Sequence, residues 1–141
     1  MTRPPSAPAM LETALYAGDL DAAEAFYGGV LGLERVTRAG NRHVFFRVSG
    51  GILLVFNPAE TVLPATASGL PVPSHGAVGP GHACFAAPEP ELSAWRDRLE
   101  KAGVEIEADF TWPNGARSIY VRDPAGNSVE FAEPRLWGVQ S

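Results

Sequence analysis

The spacing of apolar and polar residues changes period along this chain, and each change marks an element. Residues 11–17 (LETALYA) alternate as a half-buried strand does, which sets Glu12, Ala14 and Tyr16 on one side. Asp19 then suits a helix N-cap. Leu20, Ala23, Tyr27, Val30 and Leu31 recur at near-helical spacing until Gly32, a residue suited to a left-handed C-terminal turn. Three strand-like runs follow at 33–38, 43–49 and 52–57, separated by Ala39-Gly40-Asn41-Arg42 and by the hairpin signal Gly50-Gly51. The predicted order is β-α-β-β-β.

That order returns in the second half. Residues 81–87 read as a strand, and Pro88-Glu89-Pro90 opens a helix whose apolar stripe is Leu92, Trp95, Leu99 and Ala102. Gly103 closes it, and strands are predicted at 104–111, 116–122 and 128–133. Between the last two, Asp123-Pro124-Ala125-Gly126 has the residue types of a type I turn. The segment 117–133 is therefore a hairpin in which Glu130 shares a side with Ser128 and Ala132. Aligning Gly32 with Gly103 offsets the halves by about seventy residues, and the same offset carries Glu12 onto His82. The organisation expected is a disordered lead-in (1–9), a first module (10–57), a second module (81–135) and a C-terminal tail (136–141). The intervening 58–80 holds Pro58, Pro64, Pro71, Pro73 and Pro80 with no sustained period, as a plain connector or a cover over a cleft would.

Composition narrows the function classes. With 141 residues, 45% of them hydrophobic, the chain can bury a core as one domain or two fused half-domains. A net charge of −5 without basic clusters argues against nucleic acid or an anionic membrane surface as partner. No apolar run approaches the ~18 residues of a membrane span, and residues 1–8 lack the apolar centre of a secretory leader. The single cysteine, Cys84, excludes an intrachain disulfide and fits a reducing cytoplasm. Neither a phosphate-binding glycine loop nor a Gly-x-Ser-x-Gly elbow is present, and one Cys with three His cannot build a structural zinc cluster.

The element order, with FYGGVLGLE at 26–34 and VRDPAGNSVEF at 121–131, resembles the vicinal oxygen chelate superfamily. That group includes glyoxalase I, extradiol dioxygenases, fosfomycin-resistance transferases and bleomycin-resistance proteins. The resemblance covers residues 10 to 135 and implies an α+β fold: two β-α-β-β-β modules forming curved mixed sheets around a metal-binding cleft. Carried over position by position, it implies Glu12, His82 and Glu130 as metal ligands, and leaves the seat of a fourth to Leu53 or Leu54, which cannot ligate. Two departures stand out: Glu12 lies where many members have His or Gln, and the fourth carboxylate is missing; the sequence also lacks the second histidine of an extradiol site. The resemblance implies a divalent ion (Ni, Zn, Mn or Fe), a small oxygen-bearing substrate bound bidentately, lyase or isomerase chemistry, and a homodimer. The alternatives are an extradiol-type dioxygenase, a fosfomycin-type transferase, and a metal-free protein that sequesters a small apolar ligand.

The residues support these readings on their own chemistry. One imidazole and two carboxylates suit a borderline or hard dication, and three protein ligands leave coordination positions open. Without an ion, two inward carboxylates repel, and at least one would hold its proton; on a rim they are solvated strand ends. Glu12 or Glu130 is the candidate catalytic base, acting as a ligand that dissociates. Phe110, Trp112 and Tyr120 could hold an apolar substrate or fill a core. Arg117 and Arg122 could meet an anionic substrate or form surface pairs. His75 could reach the cleft from the 58–80 loop or stay exposed. Cys84 shares a side with His82 and is read as a small core thiol; His43 and Trp95 are read as structural.

Overall fold

The computed structural model describes residues 2–64 and 69–139. Within them the duplicated order is realised as two sheets of one topology. The first half runs β1 (Glu12–Tyr16), α1 (Leu20–Glu24), β2 (Arg35–Ala39), β3 (His43–Val48) and β4 (Gly51–Phe56), with sheet order β1-β4-β3-β2. A short helix, α2 (Pro58–Thr61), follows. The second half runs β5 (His82–Ala86), α3 (Glu89–Lys101), β6 (Ala108–Thr111), β7 (Arg117–Arg122) and β8 (Ser128–Ala132), with order β5-β8-β7-β6. In each sheet the first strand lies parallel to the last, as a helical crossover demands, and the remaining neighbours are antiparallel. The chain forms the paired-module α+β fold, two mixed sheets with their helices.

Several boundaries differ from those the pattern predicts. The helix after Asp19 is α-helical only through Glu24, and Ala25–Val30 widens into a π-helical turn in which Leu31 N–H reaches Phe26 O. Gly28-Gly29 weaken the α-helical preference there, and a side chain at Gly28 would press on Phe46, whose ring lies 3.4 Å from the ideal Cβ position. The strand expected from 104 starts at Ala108; Val104 and Ile106 pack on the core from irregular chain instead. Of the glycine pair, Gly50 alone turns the hairpin (φ +78), while Gly51 belongs to β4. Leu11 O sits 2.6 Å from where a Gly51 Cβ would be, so glycine lets β1 approach β4. The 58–80 segment begins with α2 rather than as unstructured connector; residues 65–68 of it, like 1 and 140–141 of the termini, lie outside the described residues.

Strand parity divides each sheet into a core side and an open side. Leu15, Val55 and Val44 lie abreast in the first sheet, and Val129 and Val121 in the second; all are buried in one continuous core with Leu20, Ala23, Tyr27, Leu92 and Leu99 of the helical segments. The modules are joined where the two sequence fingerprints meet. Tyr27 Oη donates to Asp123 Oδ2 at 2.6 Å, and Asn127 Nδ2 donates to both Asp123 Oδ2 and Tyr16 O. Asn127 Oδ1 accepts from Gly81 N at 2.7 Å, and Arg98 of α3 donates to Val30 O. Tyr27, Asp123 and Asn127 are buried and satisfied by one another and by the backbone, as polar groups at a joint must be.

Candidate functional site

The alternation that sends Val129 and Phe131 into the core turns Glu130 to the open side of the second sheet. Register sets Cys84, Glu130 and Tyr120 abreast there, with Ser118 and Phe110 one row further on and His82 one row back. Glu130 is only 5% exposed although it faces this open side. A carboxylate so buried must be satisfied. Ser118 Oγ donates to its Oε2 at 2.6 Å, and Trp112 Nε1 donates to Ser118 Oγ at 2.7 Å. The other oxygen, Oε1, lies 3.3 Å from His82 Nε2.

The tautomer of His82 follows from its second contact. Nδ1 lies 3.1 Å from Ser128 O. A carbonyl only accepts, so Nδ1 carries a proton. In the neutral ring Nε2 then has a bare lone pair directed at a carboxylate oxygen. Two lone pairs so placed need a cation between them: a proton on the imidazole, or a metal ion. A separation of 3.3 Å suits two ligands on one ion at about 2.0–2.2 Å from each. The pair supplies two donors of the kind a divalent ion takes, and the Nδ1–carbonyl bond fixes the orientation of the imidazole.

Around this pair stand aromatic rings. Phe110 stacks on Tyr120 at 5.8 Å and meets Trp112 edge-on at 4.8 Å, and Tyr120 faces His82 at 6.3 Å. Burial and the Glu130 carboxylate push the Tyr120 phenol up to about 12, and the same two causes push the Cys84 thiol up to about 12. Both stay protonated near neutrality. Cys84 lies on the open side rather than in the core, because β5 is an edge strand whose even-numbered side chains face outward.

The other sequence-derived positions are placed elsewhere. Glu12 is on the open side of the first sheet, abreast of Ile52 and Arg47, exposed and without a hydrogen bond or ion pair. It borders a groove of about 330 Å³ that His82 and Cys84 also line. It does not join His82 and Glu130: among the described residues no three His, Cys, Asp or Glu side chains gather as a metal-holding group. Leu54 occupies the open side beside it and Leu53 the core side. Arg117 points away from Glu130, held bidentately by Asp109 with Ser93 and Glu89 nearby. Arg122 pairs with Glu107, and His75 docks on the first sheet against Tyr16. Ser118, which positions Glu130, was not singled out by sequence; it shares the parity of Tyr120, which was.

Paired modules, a clefted open surface and an imidazole–carboxylate pair at a strand-end hairpin define a class. The chain belongs to the Glyoxalase/Bleomycin resistance protein/Dioxygenase superfamily, whose profile matches residues 9–131. Among solved structures it is similar to a lactoylglutathione lyase from Agrobacterium tumefaciens. Identity is 49% over 97% of this chain and 100% of that one, with a TM-score of 0.88. It shares its fold with a glyoxalase/bleomycin resistance protein/dioxygenase from Nocardioides (24% identity, 92% and 85% covered, TM-score 0.70). An integron cassette protein from the mobile metagenome of the Halifax Harbour sewage outfall is similar at fold level too (22%, 89% and 97%, 0.70). No curated protein matches the chain. Among the described residues no helix is long and apolar enough to cross a membrane.

Proposed function

We propose that the protein is a glyoxalase-like, metal-dependent lyase or isomerase in which His82 and Glu130 hold a divalent ion. The observation that carries this reading is the Nε2–Oε1 approach of 3.3 Å with Nδ1 already committed to a carbonyl. The 49% identity to a protein described as a lactoylglutathione lyase favours lyase chemistry over oxygenation. In this reading the third ligand is Glu12 of a second copy, which makes the active form a homodimer. The unpartnered, exposed state of Glu12 on its sheet supports that assignment.

The residues have separable roles. Ser118 and Trp112 fix Glu130 Oε2, leaving Oε1 to face the site. Ser128 O fixes the ring of His82. Phe110, Trp112 and Tyr120 form an apolar wall that excludes water from one side of a small bound substrate. The neutral Tyr120 hydroxyl is a hydrogen-bond donor to substrate oxygen. When bound, a divalent ion supplies Lewis-acid stabilisation of charge developing on oxygen. Glu12, the solvent-accessible carboxylate, is the base that moves the proton.

Elemental analysis of the purified tag-free protein, repeated on Glu130→Gln and His82→Ala, tests the assignment. Stoichiometric metal in the parent and its loss in both variants is the expected result. A metal-free parent that still binds aromatic ligands would support a second reading, sequestration of an apolar ligand against the Phe110–Trp112–Tyr120 wall.

A further inference from the structure

A second cluster of chemistry-bearing side chains occupies the open side of the first sheet. Register places Tyr16, Phe56 and His43 in one row across β1, β4 and β3, with Phe45 in the row behind. Their rings form a continuous aromatic cluster in which Phe56 is buried and the half-buried rings of Tyr16, His43, Phe45 and His75 surround it: His43 stacks on Phe45 at 4.1 Å, and Phe45 meets Phe56 edge-on at 5.3 Å. His75 approaches Phe56 at 4.5 Å and bonds Tyr16 Oη through Nδ1 at 2.7 Å. Above this surface lies Arg42, its guanidinium carbon 5.8 Å from the Phe56 ring centre.

Arg42 is the informative member. The strand arginines Arg35, Arg38, Arg47, Arg117 and Arg122 each hold a carboxylate. Among the described residues Arg42 meets none. It is nonetheless half-buried, and its position is set by the chain: Asn57 N–H donates to Arg42 O, and Asn57 Nδ2 to Asn41 O. Its Nη1 lies 2.8 Å from His43 Nδ1. A guanidinium only donates, so His43 accepts at Nδ1, is neutral and carries its proton on Nε2. Burial and the Arg42 charge hold the His43 pKa below its ordinary value, which keeps it so. The cluster thus presents a cation without an anion, a second N–H donor and the half-buried rings of Tyr16 and Phe45 around the buried Phe56. A fork of guanidinium donors matches a planar carboxylate, and stacked rings match an aromatic body attached to it.

We propose that Arg42, His43, Tyr16 and His75, arranged around Phe45 and Phe56, form a binding subsite for a planar aromatic carboxylate. The subsite lies four residues along β1 from Glu12, about 13 Å, and on the other sheet from His82 and Glu130. It therefore stands whether or not a metal is held there.

Benzoate is the probe, titrated into EDTA-treated protein while the imidazole resonances of His43 and His75 are followed by NMR. Saturable shifts of both are expected, with benzamide (no charge) and acetate (no ring) binding at least tenfold more weakly. Arg42→Gln should weaken benzoate at least tenfold and His75→Gln severalfold, while Glu130→Gln should leave it unchanged. Arg42→Lys, which keeps the charge if Arg42→Gln fails to fold, should also weaken it, because the fork is lost. The proposal is overturned by no saturable shift in the millimolar range, by equal affinity in Arg42→Gln or Arg42→Lys, or by loss of binding in Glu130→Gln. That last result would place the ligand at the imidazole–carboxylate pair instead. Loss of metal in the elemental analysis, by contrast, bears only on the enzyme reading.

Discussion

Replacing Tyr27 by Phe tests the joint between the modules with one atom. Tyr27 is fully buried, and its hydroxyl donates to Asp123 Oδ2 at 2.6 Å, a short bond to a carboxylate that is itself 5% exposed. In the variant Asp123 keeps three donors, namely Ala125 N, Asn127 N and Asn127 Nδ2. The loss is therefore that of one charge-assisted hydrogen bond, about 1.5–3 kcal/mol, rather than that of an orphaned charge. In a chain of this length each kcal/mol shifts the melting midpoint by about 2–4 °C, so a fall of about 3–12 °C is expected by circular dichroism. A double-mutant cycle with Asp123→Asn should show coupling of about 0.5–3 kcal/mol. The alkaline limb gives an independent reading. Burial and the Asp123 charge raise the Tyr27 phenol far above its ordinary value. A raised pKa contributes stability that is fully present below the unfolded value of about 10 and is lost as pH climbs beyond it. The parent should lose stability more steeply above pH ~10 than Tyr27→Phe does. A variant within about 0.5 kcal/mol of the parent, or strict additivity with Asp123→Asn, would refute the reasoning.

Other perturbations follow from the same geometry. Asp109 is held at about 2, first by its hydrogen bond to Arg117 and also by Arg96, so its contribution is present above pH ~4 and fades toward pH 2. Asp109→Asn should cost about 1–2 kcal/mol at neutral pH and flatten the acid limb of a urea-melt series. Gly51→Ala drives a methyl group into Leu11 O and should destabilise the β1–β4 pairing by about 1–3 kcal/mol, with faster amide exchange at Ile52. Ser118→Ala leaves Glu130 Oε2 without its donor and should weaken metal affinity about 10–100-fold in a chelator competition. Unchanged affinity would remove Ser118 from the site.

How far the fold could be read in advance depended on the kind of signal. Period and punctuation are local, and both modules were legible from them: Gly32 and Gly103 do adopt positive φ, and Asp19 does cap α1 through Ala22 N. Parity was legible too and carried more than was taken from it. Tyr120 faces Glu130 across the hairpin, so Ser118 must share their side and Arg117 must not; the pairing of Arg117 with Asp109 is what that alternation requires. Associations between elements far apart in the chain left no local trace. Nothing periodic announces that His75 reaches Tyr16, or that Glu12 and Glu130 lie on different sheets. The widened turn at Ala25–Val30 was hidden for a related reason. Its residues keep helical spacing, and the change of pitch comes from seating Phe26 and Tyr27 in the core with two glycines between them and Leu31.

The stretches that mark the family most clearly are therefore mainly structural, and of the proposed site residues they hold Glu130 alone. Tyr27 belongs to the first fingerprint, and Asp123 and Asn127 to the second; in the structure they bind each other and the backbone at Tyr16 and Gly81. A buried polar joint tolerates little change, since each member removed costs a buried hydrogen bond that water cannot replace. The open-side positions face no such restraint. His82, Cys84, Tyr120 and Glu12 project from strands whose geometry is set by the opposite, core-facing residues, so their identities can vary without unfolding the sheet. One scaffold can thus carry lyases, oxygenases and binding proteins. Membership argues for the joint, and the reaction has to be argued from the open side: here from the His82–Glu130 pair on one sheet and the Arg42 cluster on the other.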